Sequence, residues 1–499
     1  MRAFINKLHE ILDKAYVTNW LGVVLFCVLL LRIPSFFEPY YYGDEMIYMS
    51  LGQGVRQGEV LYKDVYDNKT PLLYLTAALS GNLFWFKAIL AAWSIVTIVI
   101  FWNLARILFE KNEKMQKIAT VIFAILTTIP LLEGNTVNAE LFMIGPTMLS
   151  LFLLLGNEVN SKKIFLAGTL FGIGALFKIP AAFDLPVVVV YWVITKGFSS
   201  WKQILKDSII LLLGFITPIA LTFVWYFTRG ALPEYVKAAF LQNVGYVSSW
   251  RPDDIQKPFL VKNAPLLIRA FIVFAGSVIL FVMRKKLSKK FILFSIWILF
   301  ALFAVTLSER PYPHYLIQAV APIALLLGML FAEDSFEQSL SVLPLALALF
   351  VPYYFKFYSY PTGAYYAKFL SFASGKTHKD VYLNSFSPNV KRNYELADFI
   401  TKSAAPKEKV FMWDNDSPTV YALSRRLPPV KYVADYHVLD YSSKSDLAKE
   451  LSNTKPKFII LTQNHPFPEI NGLLSQNYLL IQHIENADIW SRIDLAPSR

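Results

Sequence analysis

The chain has 499 residues, of which 55% are apolar and only 17% charged, with a mean hydropathy of +0.43. An average soluble chain is about 45–50% apolar and about 25% charged, so this balance belongs in lipid and excludes collagen-like, disulfide-scaffold and globally disordered chains. The net charge of +12 invites nucleic acid, but the basic residues sit in short clusters between apolar runs, as in Arg284-Lys285-Lys286 followed by Lys289-Lys290. That is the pattern of cytoplasmic anchors beside membrane spans. The single cysteine, Cys27, lies inside the first apolar run, which leaves no intramolecular disulfide and no thiolate metal cluster.

Residues 1–19 are polar and basic, with Arg2, Lys7 and Lys14, and the first apolar run begins at Trp20. No Ala-x-Ala-like site follows it, so it reads as a retained span with a cytoplasmic N-terminus rather than a signal peptide. Apolar runs near 20–37, 89–109, 117–132, 141–156, 164–178, 181–195, 206–227, 262–283, 291–307, 314–331 and 340–357 predict eleven helices, because backbone in hydrocarbon must satisfy itself. Starting inside, the loops with Lys111, Lys114 and Lys117, with Lys162-Lys163, with Lys196, Lys202 and Lys206, and with Arg284 to Lys290 all fall in the cytoplasm. The acidic Glu333-Asp334 loop is a mild exception.

The same bookkeeping treats residues 71–86 as an interfacial or partly immersed helix, since a crossing there would move every later basic loop outside. The loop 38–88 is then a large external element of a membrane domain spanning 1–357. Residues 358–499 change character: charges of both signs appear, and four of the six histidines lie there. Strand candidates 409–413, 457–461 and 478–482 alternate with helical spacing at 390–404, 416–426 and 443–453, and Ser443 with Asp446 has the form of a capping box. This predicts a small extracytoplasmic α/β domain of Rossmann-like type.

The chemistry-bearing residues share the external side. Asp44 and Glu45 lead a helix at 46–57; as neighbours they fit either helix-terminal acids or a general base or metal ligand. Lys69, just before Pro71, either snorkels or meets a lipid phosphate. Glu140 closes the turn 135–140 as a helix-terminal acid or a site group. Lys178 pairs with Asp184 or neutralises a phosphate, and Arg310 with His314 and Tyr315 forms a turn suited to gripping one, unless Arg310 makes only a weak surface pair with Glu309. In the outer domain, Asp414 and Asp416 follow the first strand, where they form an Asx turn or touch an acceptor glycan; Tyr432, His437 and Trp490 are possible stacking groups. Acids and bases at one membrane depth suit an amphiphilic anionic substrate, and a polyprenyl phospho-sugar fits: its phosphate leaves and an acceptor hydroxyl needs a base. No glycine-rich phosphate loop is present, consistent with no nucleotide cofactor.

These residues, Asp44-Glu45, the Tyr62 to Pro71 run, Asn138-Ala139-Glu140, Phe177-Lys178 and Arg310 to Tyr315, resemble the GT-C membrane glycosyltransferases. They are similar to the broad bacterial family that resembles dolichyl-phosphate-mannose–protein mannosyltransferases and lipid A aminoarabinose transferases. The resemblance covers about residues 15–357. It implies a plasma-membrane enzyme that transfers sugar from a polyprenyl phosphate to a glycolipid, wall polymer or protein, with inversion. It implies Asp44 as the base, Glu45 as support for the loop or a cation, Glu140 as a second acid, and Lys69, Lys178 and Arg310 as phosphate ligands. Thr70-Pro71 and Asn68 depart from the family pattern, and the aminoarabinose enzymes' metal site is therefore not carried over; a divalent cation stays open. A flippase for a lipid-linked saccharide and a non-catalytic scaffold are the alternatives. Mid-membrane polar groups, which a transporter requires, are missing from the pattern.

Overall fold

The computed structural model describes residues 13, 16–110, 112–156, 158–243 and 258–493. The basic leader (Arg2, Lys7, Lys14) and Lys111 lie outside the described residues. The chain divides into two compact units. One comprises residues 1–35, 88–225 and 241–363, and the other residues 36–87, 226–240 and 364–499.

The first unit is helical. Each of the eleven apolar runs coincides with a helix. Among the described residues, eight helices are long and apolar enough to cross a membrane by length and composition. They are Asn19–Phe37, Leu83–Phe109, Ile179–Lys196, Phe198–Thr228, Phe259–Met283, Lys289–Thr306, Pro313–Ala332 and Phe336–Tyr354. Ala139–Leu155 is a shorter apolar helix, and Glu113–Leu126 and Ser161–Phe177 have 14 and 17 residues, short of the ~20 that a perpendicular span needs. Side-chain caps start several of them: Thr18 Oγ1 accepts from the Leu21 N–H at 3.3 Å, Asn160 Oδ1 from Lys163 at 3.0 Å and Ser288 Oγ from Phe291 at 3.2 Å. The core is apolar side chains between helices, with the faces of Lys289–Thr306 and Pro313–Ala332 the most enclosed.

The second unit joins the loop after the first span to the C-terminal residues. Helix Gly43–Gln57 packs on Leu72–Ser80 so closely that a Cβ on Gly52 would stand 2.7 Å from the Ala77 carbonyl carbon. The run 71–86 is not one helix, contrary to the sequence expectation. Gly81 takes φ 69 and ends the first piece at Ser80, and the Asn82 side chain accepts from the Trp85 N–H at 3.0 Å, starting the span Leu83–Phe109. The signal was Ser80-Gly81-Asn82, a C-cap followed by an N-cap.

The C-terminal sheet has four strands: β1 (Val410–Trp413), β2 (Phe458–Thr462), β3 (Tyr478–Ile484) and β4 (Ala487–Arg492), in the order β1-β2-β4-β3. Only β1 and β2 are parallel; β4 pairs antiparallel with both neighbours. The sheet is therefore mixed, because β3 and β4 are joined by the two-residue turn Glu485-Asn486, which permits only a hairpin. Phe411, Trp413, Ile459, Leu451, Phe467 and Tyr478 belong to the core beneath it. Ser443 caps Lys444–Thr454 as its spacing requires, accepting from the Asp446 N–H at 3.1 Å. The first loop is fastened to this domain: the Tyr66 N–H donates to the Lys431 carbonyl at 2.9 Å, and Ser50 Oγ to the Pro418 carbonyl at 2.9 Å.

Candidate functional site

Asp44 and Glu45 sit on the first turn of Gly43–Gln57, where about 100° of rotation separates consecutive side chains. Glu45 turns inward to Lys87, with its Oε1 2.8 Å from Nζ. Lys87 also pairs with Glu38 at 2.7 Å, and each of the three side chains is only 1% exposed. The Tyr365 hydroxyl donates to Glu38 at 2.5 Å. Burial, then the charge of Glu38, raises that phenol's pKa well above the ordinary range.

Asp44 is 30% exposed. It accepts from the Tyr48 hydroxyl, one turn later, at 2.9 Å, and its Oδ2 is 3.6 Å from the Lys69 ammonium. Lys69 also lies 3.7 Å from Asp67 and 4.9 Å above the Tyr48 ring centre. Its backbone is pinned on both sides: its N–H donates to Tyr74 Oη at 3.2 Å, and the Tyr62 hydroxyl donates to its carbonyl at 2.8 Å. Tyr62 adopts φ 74, the left-handed region that a bulky residue rarely occupies, and so turns the loop back on itself. Tyr62, Tyr74 and Asp67 are almost fully buried.

Asp67 gathers donors. The Tyr74 hydroxyl reaches Oδ2 at 2.8 Å, the Asn68 N–H reaches Oδ1 at 2.7 Å, and His437 Nε2 stands 3.4 Å from Oδ1. Burial pushes this carboxyl up. The Lys69 charge, the His437 hydrogen bond and charge, and the Tyr74 bond oppose it and hold the group below the usual carboxylate range. The sequence singled out Lys69, but it offered His437 only as a stacking group and Asp67 only as one member of the Tyr62 to Pro71 run, not as the pair that holds Lys69 from behind.

The helical unit has its own polar cluster. Glu140, on the first turn of Ala139–Leu155, is ion-paired with Lys178, which stands 4.2 Å from the Tyr315 ring centre. His314 is bonded through Nδ1 to Glu133, and its Nε2 is 3.9 Å from Glu140. Lys178 thus pairs with Glu140, while Asp184 accepts from the Trp297 indole N–H at 3.3 Å. Glu133 went unnoticed in the sequence; it takes φ 56 at the end of a short 3₁₀ turn, a position with no local signature. Arg310 is exposed, whereas His314 is buried. Glu309 is ion-paired with Arg269, which also donates to the Thr306 carbonyl at 2.7 Å.

Asp414 and Asp416 stand at the carboxyl end of β1. Both bond the buried Arg392, at 3.1 and 3.2 Å, and Asp414 also accepts from the Thr462 hydroxyl at 2.6 Å at the end of β2. The Asp416 N–H closes on Asp414 Oδ1 at 2.7 Å, an Asx turn. Among the described residues, no group of three or more His, Cys, Asp and Glu side chains is arranged to hold a metal ion.

Residues 390–489 match the family model described as the C-terminal domain of the competence-induced protein Ccs4. No curated protein sequence matches the chain. Among solved structures, the chain is similar to ArnT from Cupriavidus metallidurans bound to undecaprenyl phosphate, at 13% identity and TM-score 0.56, over 97% of this chain and 100% of that one. The apo state of ArnT matches at 14% identity and TM-score 0.57 over the same shares. An oligosaccharyltransferase from Archaeoglobus fulgidus matches at 12% identity and TM-score 0.43, over 90% of this chain and 70% of that one. On the two end-to-end matches to ArnT, this chain has the GT-C fold, a mostly helical multi-pass membrane architecture with a small C-terminal sheet domain.

Proposed function

We propose that this chain transfers a sugar from a polyprenyl-phosphate-linked donor to a hydroxyl acceptor at the outer face of the membrane, inverting the anomeric carbon. The observation that carries the reading is the pairing of a partly exposed carboxylate, Asp44, with an ammonium, Lys69, at 3.6 Å. Nucleophilic attack by an alcohol on a glycosyl phosphate asks for such a pair, a base at the hydroxyl and a cation at the departing phosphate. The ArnT structure that shares the fold holds undecaprenyl phosphate.

Asp44 takes the proton of the acceptor hydroxyl as its oxygen forms the bond to the anomeric carbon. The bond from that carbon to the phosphate oxygen breaks on the opposite face. The lipid phosphate departs with one more negative charge than it held in the donor, and Lys69 meets that charge. Glu45 serves as an anchor for the turn that carries Asp44, since its carboxylate is engaged by Lys87. In the helical unit, Lys178, Tyr315 and His314 are assigned to lipid-phosphate contact, with Glu140 orienting Lys178. Arg310 contributes at most a peripheral charge, being exposed, and Asp414 and Asp416 keep a fold-bearing role around Arg392.

The test is conversion by the purified protein in nanodiscs, offered a panel of polyprenyl phospho-sugars with a crude acceptor extract. Mass spectrometry reads free polyprenyl phosphate and glycosylated product. Conversion of one donor that Asp44→Asn abolishes supports the reading; donor binding without conversion across a broad acceptor panel removes it.

A further inference from the structure

The Asp44–Lys69 pair lies in the loop after the first span, but what holds Lys69 from behind comes from the other end of the chain. His437, on the short helix Asp435–Tyr441 of the sheet domain, is 2% exposed and directs Nε2 toward Asp67 Oδ1 at 3.4 Å. Its ring packs edge-on against Tyr66 and beside Tyr441, with centroids 5.8 and 6.1 Å away. The Tyr441 hydroxyl accepts from the Asn68 side chain at 3.0 Å. Residues 66–68 are thus gripped at three consecutive positions by 431–441: a backbone bond at Tyr66, an imidazole at Asp67 and a phenol at Asn68.

We infer that His437 is a positioning residue for Lys69, acting through Asp67. Nε2 faces the carboxylate as a donor, and among the described residues Nδ1 has no hydrogen-bond partner in its buried setting. A buried imidazole with one nitrogen unpartnered and the other turned to a carboxylate has that carboxylate as its polar purpose. Asp67 is itself buried and lies 3.7 Å from the Lys69 ammonium, which in turn lies 3.6 Å from Asp44. The order His437, Asp67, Lys69, Asp44 alternates donor and acceptor. Each member is fixed by the one behind it, and only the last two are partly exposed. The sheet domain is then a working part of the site and not an appendage to it.

The geometry of this chain of contacts is independent of the reaction, whereas its consequence for donor binding rests on the proposed function. The experiment separates the two. Full-length wild type, His437→Ala, His437→Gln, Lys69→Ala and the His437→Ala/Lys69→Ala double variant are placed in nanodiscs, with thermal unfolding as the check on folding. The first readout is the rate at which an amine-reactive ester labels Lys69, followed by peptide mass spectrometry. Loss of the His437 contact frees Asp67 and loosens Lys69, so labelling rises about threefold or more in His437→Ala. His437→Gln, whose amide N–H still donates, stays near wild type. Equal labelling in wild type and His437→Ala overturns the inference, as does a Gln variant labelled like Ala.

The second readout is affinity for undecaprenyl phosphate. His437→Ala weakens it by about tenfold, the loss expected when a charged hydrogen-bonded group is misplaced. Because His437 acts only through Lys69, the double variant binds no more weakly than Lys69→Ala alone. Additive losses overturn the inference. Unchanged affinity in Lys69→Ala refutes the donor-binding role of Lys69 instead, and the labelling result then decides the positioning role alone.

Discussion

The Glu38–Lys87–Glu45 triad carries a sharp prediction, because its three charges are buried together. Lys87 Nζ lies 2.7 Å from Glu38 and 2.8 Å from Glu45, and every side chain is 1% exposed. Lys87→Met keeps the length and apolar stem of the side chain but leaves two buried carboxylates facing each other without a cation. Breaking a buried pair in this way costs about 3–5 kcal/mol. For a unit on the order of 200 residues, at about 2–4 °C per kcal/mol, that is a fall of about 6–20 °C in apparent Tm. The assay is thermal unfolding in nanodiscs by intrinsic fluorescence, at one scan rate for all variants. The control is Lys87→Met with Glu38→Gln and Glu45→Gln, in which the charges disappear together. It should recover most of the loss, since replacing a whole buried ion cluster is near neutral whereas removing one member is not. An unchanged Tm in Lys87→Met refutes the argument. So does a triple variant as unstable as the single one, which would put the cost in lost packing and not in uncompensated charge.

Three further outcomes follow from the same geometry. Asp44→Asn should lower turnover by about 10²–10⁴-fold, the range for loss of a general base, while donor affinity stays near wild type; equal turnover would remove the base role. Asp67 has its pKa depressed by Lys69 and His437, so its contribution to stability is complete above the unfolded-state value near ~4 and is lost as pH falls from there toward the folded value. Apparent Tm between pH 6 and pH 3 should therefore fall less steeply in Asp67→Asn than in wild type, and parallel curves would contradict the assignment. In a Cys27→Ser background, a membrane-impermeant thiol reagent added from outside should label Lys63→Cys and Ser475→Cys but not Lys162→Cys, three exposed positions. Labelling of Lys162→Cys alone would invert the topology.

The spans were legible because lipid enforces a simple code: long apolar runs with basic loops between them must be helices. The three strands found in the sequence, around VFMW, FIIL and YLLIQ, were compact apolar runs of the right length. Ala487–Arg492 escaped because ADIWSR mixes an acid, a serine and an arginine with its apolar positions, and its turn, Glu485-Asn486, has no glycine to announce it. The break at Gly81 was visible as residues but was absorbed into a longer apolar run. Partnerships were the least legible feature. Glu133 with His314, Lys87 with Glu38, and Arg392 with Asp414 join positions 181, 49 and 22 residues apart, and nothing local marks one as the partner of the other. Asp414 and Asp416 show the consequence: two acids after a strand resemble a binding edge until the buried guanidinium they serve is seen.

Residue type nominated Asp44, Glu45 and Glu140 together, and their surroundings separate them. Glu45 and Glu140 are buried against lysines, at 1% and 3% side-chain exposure. A carboxylate fixed in that way stabilises its ammonium partner and has little access to a substrate hydroxyl. Asp44 differs from Glu45 by one helical step. That step turns it toward Tyr48 and Lys69 with nearly a third of its side chain exposed. The adjacency that made the pair ambiguous in sequence is therefore a division of labour. One acid holds the turn to the start of the next span through Lys87, and the other is presented from that rigid turn toward whatever approaches Lys69. If the proposed reaction is right, charge reversal at the two positions must have different signatures: Glu45→Lys should prevent folding, and Asp44→Lys should fold and fail to turn over. A folded but inactive Glu45→Lys beside an unfolded Asp44→Lys would show that the anchor and the base had been assigned the wrong way round.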